Sequence, residues 1–395
     1  MKLTRLIQTT AVLTGTALAV TLGGAPAVAG QGHDDHGQHR NVDRALALYE
    51  AMQANLYADD GSSLYLERTV PTADDRTYSF EWPFSQAHIA TLDLTGIPGV
   101  SRQFRDDLAD RSVGQERYWN AGGGATGLPG YDSYARAPFG EGGDMFYDDN
   151  EWVALAKVQE YLQTGDRAAL SRAKEIFALV ESGWDTDPSH PAPGGVYWTQ
   201  APWSQDRNTV STFPGAELAT RLYLITHQAS YLDWAKRSVA WADATLLAPN
   251  GLYWDNIKLD GSIDQTQWSY NQGTPIGTYT LLYKATGDRA YLAKAKAIAS
   301  ASLAFYGAEG RLAAQPIYFN SIYFKNLLLL ESVTGGHTYR DAQQAYADSL
   351  WNDVRDPATN LFPVGGPTTR LLDQAAAVLL FATLAWPTVK ASTLY

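Results

Sequence analysis

In the stretch "DMFYDDNEWVAL", Asp148 and Asp149 stand side by side between Tyr147 and Asn150, with Trp152 just beyond. Aspartate suits the start of a helix, where its carboxylate meets unpaired N–H groups and the positive end of the helix dipole. Two acids flanked by aromatic and amide side chains also have the makings of a site that hydrolyses glycosidic bonds. That chemistry needs two carboxyl groups at the scissile bond, ~5–5.5 Å apart where the anomeric configuration is retained and ~6.5–9.5 Å apart where it is inverted. Consecutive residues have α-carbons ~3.8 Å apart, which favours the shorter separation and hence retention. Two acids this close do not titrate alike, because ionising one raises the pKa of the other. One can be an ionised nucleophile and the other a protonated general acid; the residues alone do not say which.

Further polar and aromatic candidates lie downstream. In "YNQG", Asn271 and Gln272 carry amides that both donate and accept, as neutral sugar hydroxyls require, although they can equally serve as an N-cap and a first-turn residue. Tyr270, Trp198 and Trp152 are candidate platforms for stacking on a sugar ring, or members of the core. Tyr147 is placed to position the acids. Glu151, three residues past Asp148, is expected to face solvent. Contiguous acids do not suit calcium, whose loops space their oxygen ligands at alternate positions, so no calcium site is expected there.

Periodic segments must position these residues. Five short turns punctuate the chain at Thr95, Thr164, Thr226, Thr286 and Thr334, two of them reading "TGD", and each separates two apolar-periodic stretches. A helical hairpin is repeated at a loose spacing. Helices are expected at 42–57, 83–96, 100–112, 147–164, 167–183, 211–227, 229–247, 271–286, 289–306, 320–334, 338–352 and 371–385. Six pairs of this kind predict an all-α fold, an (α/α)6 barrel. An open solenoid would need polar end caps, and the last segment, "LLDQAAAVLLFATLAW", is strongly apolar. The tight turns then share one face of the ring. The long aromatic, Gly-rich connections share the other, where sites are usually built.

Composition narrows the class. The first 29 residues combine Lys2 and Arg5 with an apolar run and the small-residue sequence Ala27-Val28-Ala29, the pattern of a signal peptide cleaved before Gly30. Residues 30–41, with His33, His36 and His39, read as a disordered lead-in, and residues 42–395 as one domain. A secreted protein with no cysteine relies on its core for stability. The net charge of -12 argues against a nucleic-acid partner. No later segment reaches the ~20 apolar residues of a membrane span. A monomer is expected. With 12 Trp, 23 Tyr and 12 Phe, the chain is well supplied with rings that can stack on sugars.

"YDDNEW", "GGVYWTQ", "FPGAELATRLYLIT" and "YNQGTPIGTYTLLYKATGD", in this order, resemble glycoside hydrolase family 76, the endo-α-1,6-mannanases, over residues 42–386. The resemblance implies a secreted, cofactor-free, retaining endo-hydrolase acting on α-1,6-linked mannan or manno-oligosaccharides. Asp148 would be the nucleophile and Asp149 the general acid/base. It raises a sugar-contact role for Asn271 and Gln272. A mannan transglycosylase on the same fold and a non-catalytic mannan-binding protein are the alternatives. Isomerases of this shape rely on histidine, and the candidate loops hold little of it. Uronate-acting enzymes want basic residues, of which those loops offer few, notably Arg117, Arg207 and Lys258.

Overall fold

The computed structural model describes residues 32–363 and 366–394. The expected signal peptide therefore lies outside the described residues. The helices are α1 (Gly32–Leu56), α2 (Glu81–Thr95), α3 (Arg105–Gln115), α4 (Tyr147–Thr164), α5 (Arg167–Ser182), α6 (Thr209–Thr226), α7 (Ala229–Thr245), α8 (Tyr270–Thr286), α9 (Arg289–Tyr306), α10 (Ile317–Thr334), α11 (Thr338–Asp353) and α12 (Leu371–Leu384). All twelve expected helices are present. The lead-in differs: the backbone is already helical from Gly32, so residues 32–41 extend α1 instead of trailing from it. Gln38 Nε2 donates to the Ala385 carbonyl at 2.7 Å and Asn41 Nδ2 to Gln344 Oε1 at 2.7 Å, which ties this segment to the far end of the chain.

Helix burial sorts into two kinds. In α4, α6, α8, α10 and α12 nearly every residue of the first three turns is buried, while α5 and α9 bury single stripes such as Ala295, Ile298, Ala299 and Ser302. A helix apolar on one stripe covers a core from outside; one buried all round stands within it. The even-numbered helices accordingly form an inner ring, each against the next, with α12 returning to α2, and α1 packs on α12 to close the outer ring. The architecture is an (α/α)6 barrel.

The tight turns have a local cause. Gly165 and Gly287 end α4 and α8 with positive φ (76° and 73°), a conformation that costs glycine little. The following Asp166 and Asp288 accept from Ala168 N–H and Ala290 N–H and so cap α5 and α9. His227 takes the same left-handed position after α6. These turns lie at the C-terminal ends of the inner helices. The long connections therefore gather at the N-terminal ends, where unpaired helix N–H groups point.

Two of those connections fold into small sheets that helical periodicity did not announce. Strands β1 (Trp119–Asn120) and β2 (Gly130–Tyr131) pair antiparallel. Strands β3 (Asp206–Asn208), β4 (Asn256–Lys258) and β5 (Ile263–Asp264) form a three-stranded antiparallel sheet, with Asp206 opposite Lys258 and Asn208 opposite Asn256. Among the described residues no helix is long and apolar enough to cross a membrane.

Candidate active site

A cavity of about 680 Å³ opens on the loop face, and all six inner helices contribute to its lining from their first turns: Trp82, Asp148 and Asp149, Val210, Tyr270, Tyr318 and Phe319, and Leu372. Asp148 and Asp149 fall in the first turn of α4, after Phe146, whose extended backbone (φ -97°, ψ 136°) brings the chain into the helix. Asp148 is buried, and its Oδ2 accepts the Trp198 indole N–H at 3.2 Å. Its Oδ1 has no hydrogen-bond partner among the described residues.

Both acids hold their protons far more tightly than an ordinary aspartate. For Asp148 the chief cause is burial, followed by the neighbouring charge of Asp149; the Trp198 N–H and backbone N–H groups at the helix start pull the other way. For Asp149 burial comes first and the charge of Glu81 second, with no donor opposing them. The donors therefore make Asp148 the better anion and leave Asp149 the better holder of a proton.

Glu151 does not face solvent. It is fully buried, and its pKa is driven well above normal by burial and then by Asp148, with the Gly215 backbone N–H pulling the other way. The α4 helix is an inner one packed on α5 and α6, so a side chain three residues past Asp148 meets Gly215 of α6 instead of water.

The remaining candidates divide. Trp198, from the connection between α5 and β3, and Tyr270, at the start of α8, both line the cavity. Trp198 stands edge-on to Phe146 and Trp203, while Tyr270 lies parallel to Phe319 with centroids 3.8 Å apart. Trp152 is core, only 1% exposed and away from the cavity, because it faces the packed side of α4. Tyr147 is also buried; its ring packs against Gly183, and its N–H donates to the Trp198 carbonyl at 2.9 Å, so its backbone anchors the loop that carries the indole. Gln272 is a clamp: its Oε1 accepts from Tyr253 N–H at 2.7 Å and its Nε2 donates to the Tyr253 carbonyl at 2.9 Å. Asn271 sits behind the cavity wall and donates to Asp255 Oδ1 at 2.8 Å.

Asp255 is the residue the spacing argument missed. It lines the cavity with Asp206, Asn208 and Asn256 from the three-stranded sheet. Burial pushes it up to about 6 against the hydrogen bonds from Asn271 and Asn256. The alternation of β3 sends Arg207 the other way, into a buried pair with Asp185, so this loop arginine is not available to a ligand. The cation of the lining is Arg370, itself paired with Asp373. The only signal for this wall was the polar run Trp254-Asp255-Asn256 inside an aromatic loop. Among the described residues no three acidic or histidine side chains converge as metal ligands do.

A ring of helical hairpins with paired carboxyls and aromatic walls at the inner-helix starts is the layout of a carbohydrate-active α/α barrel. The chain belongs to glycosyl hydrolase family 76, whose model matches residues 43–354. Among curated proteins it is similar to mannan endo-1,6-alpha-mannosidase DCW1 of Saccharomyces cerevisiae, 29% identical over 143 residues, 34% of this chain and 31% of that one. The DCW1 protein of Candida albicans is 30% identical over 156 residues, 37% of this chain and 34% of that one. The matched segments thus span about a third of those relatives. Among solved structures, a family 76 mannosidase from Bacteroides thetaiotaomicron superposes with a TM-score of 0.77 at 24% identity, over 88% of this chain and 98% of that one. An inactive variant of an α-1,6-mannanase from Salegentibacter, with two consecutive aspartates replaced by asparagine and α-1,6-mannotriose bound, superposes with a TM-score of 0.70 at 21% identity, over 87% and 99%.

Proposed function

We propose that the protein is an exported, monomeric endo-α-1,6-mannanase that hydrolyses α-1,6-linked mannan with retention of configuration. The observation that carries the reading is the placement of Asp148 and Asp149 at the start of α4, in a cavity lined by all six inner helices, with donors on Asp148 and none on Asp149. The linkage is supported by the curated mannan endo-1,6-alpha-mannosidases and by the mannotriose in the Salegentibacter enzyme. Export is supported by the basic, apolar and small-residue order of the first 29 residues.

In this reading the Asp148 carboxylate attacks the anomeric carbon and forms a glycosyl ester, while the glycosidic oxygen leaves with the proton of Asp149. The Asp149 carboxylate then takes a proton from water, the resulting oxygen nucleophile displaces Asp148 from the anomeric carbon, and both acids return to their starting states. Trp198 holds Asp148 throughout. The rings of Tyr270, Phe319 and Trp198 in the cavity lining supply flat faces for sugars.

The test is incubation with α-1,6-mannotetraose and debranched mannan, followed by proton NMR of the first-formed anomer and chromatography of the products. Short manno-oligosaccharides with α-configured new ends are expected. Formation of the β-anomer overturns retention, and products longer than the substrate would move the reading to transglycosylation.

A further inference from the structure

We propose that Trp203 is an outer sugar platform of the cleft, taking a mannose unit that lies further along the chain than the units joined by the bond that is cut. The proposal rests on the reading of the cleft as a mannanase site. Trp203 is the most exposed aromatic residue among those described, with 53% of its surface open to solvent. A ring so exposed adds little to the core, yet the protein fixes it firmly.

The fixing begins in the sequence. In "TQAPWSQD", Pro202 and Trp203 are the central residues of a turn closed by the Ser204 N–H on the Ala201 carbonyl at 2.9 Å. Proline favours the first central place because its φ is already set. The segment is fastened on both sides of the turn. Before it, the Thr199 hydroxyl and the Gln200 N–H both donate to the Met145 carbonyl, at 2.6 and 3.0 Å; after it, the Ser204 hydroxyl donates to Asp206 Oδ1 at 3.2 Å. The ring itself is pinned by its N–H, which donates to Asp144 Oδ2 at 3.2 Å. Its centroid lies 6.0 Å from that of Trp198 and 5.9 Å from that of Phe146.

Asp144, Phe146 and Trp198 line the cavity, whereas Trp203 stands outside the lining and touches all three. Contacts therefore run outward in order: Asp148 accepts the Trp198 indole N–H, Trp198 meets Trp203, and Trp203 meets solvent. A sugar on Trp203 lies outside the one at Asp148. The C–H face of a pyranose packs on an indole, and the Asp144 carboxylate at the edge of this one is an acceptor for a sugar hydroxyl. A 1,6 linkage also adds a rotatable C5–C6 bond to each step, so inner units do not position outer ones, and each outer unit gains from a contact of its own. A platform already held in place takes it up without first having to be ordered.

The experiment compares kcat/KM on α-1,6-mannohexaose and α-1,6-mannotriose for wild type, Trp203→Ala and Trp203→Phe. The ratio of the longer substrate to the shorter should fall about tenfold in Trp203→Ala, the order of one aromatic stacking contact, and the fall should sit in KM, since an outer contact is the same before and during bond cleavage. Trp203→Phe keeps a ring without the N–H and should retain most of the ratio. A ratio that does not move in Trp203→Ala, or that falls as far in Trp203→Phe, overturns the proposal, because support of Asp144 through the N–H would then be the residue's whole role. The Trp203 indole ¹H–¹⁵N resonance, assigned by its loss in Trp203→Phe, gives a readout independent of turnover: in Asp149→Asn it should shift on addition of mannohexaose. A shift in a protein whose wild type does not cleave mannohexaose would sink the mannanase reading alone. A resonance that stays put would sink this one, whether or not the chain is cleaved.

Discussion

Tyr147 and Tyr270 each open an inner helix, and an amide in the first turn then grips both backbone groups of a loop tyrosine. Asn150 holds Tyr131 by its N–H at 2.7 Å and its carbonyl at 2.9 Å, and Gln272 holds Tyr253 at 2.7 and 2.9 Å. Aligned on that grip, the two starts differ in the residue just before the amide. In α4 that position is Asp149, so the acid rides on the helix itself. In α8 it is Asn271, which reaches Asp255 on the adjacent loop and holds that acid at the wall. The repeat therefore keeps the grip on the loop and varies the group placed beside it, which separates scaffold from chemistry within a single turn of helix.

The sharpest contrast is obtained by removing the acids on the α4 side. Asp148→Asn and Asp149→Asn should each reduce mannotetraose cleavage by roughly 10³-fold or more, measured as reducing ends released. Each should also raise Tm, because the amide replaces a carboxyl whose ionisation burial opposes. A variant that keeps wild-type turnover would refute the assignment. On the α8 side, Asp255→Asn should cost about 10²-fold in kcat/KM. Asn271→Ala, which only frees Asp255, should cost about tenfold; each loss is the scale of one or two hydrogen bonds to charged groups. Equal losses at 271 and 255 would mean that Asn271 has a role of its own.

Asn150→Ala and Gln272→Ala test the shared frame. Each unpairs two buried backbone groups, so each should lower stability by about 2–4 kcal/mol in urea unfolding, and a clear inequality would break the parallel. Stability should also vary with pH. The folded pKa of Glu81, about 8, lies above its ordinary value of 4.5, so its contribution is fully present below 4.5 and is lost as pH rises toward 8. Tm should fall over that range and fall less in Glu81→Gln. The smallest change is Trp198→Phe, which removes the N–H from Asp148 and should lift the acid limb of the rate profile by a fraction of a pH unit.

Much of this frame was legible in the chain because it rests on period and punctuation. The "TGD" turns mark where inner helices end, and Asp166 and Asp288 cap the outer helices as their type suggests. What escaped depended on contacts between distant segments. Gln272 and Asn271 are polar residues at a helix start, and nothing local shows that their partners are Tyr253 and Asp255. Trp152 and Glu151 occupy an inner helix buried on every side, where the usual rule of a polar outer face does not apply. Asp255 lay in a loop whose strand register, set by pairing with β3, decides which side chains reach the cavity.

Closure of the ring by α1 against α12 also makes the cleft a joint product of distant segments. The cavity takes Trp82 from α2 and Arg370 and Leu372 from the start of α12, and Arg44 reaches Asp348 across the same seam. Residues up to Asp149 already carry both acids, but the walls that β3, α8, α10 and α12 add come from later segments, so the acids are enclosed only where the two sides of the seam are joined.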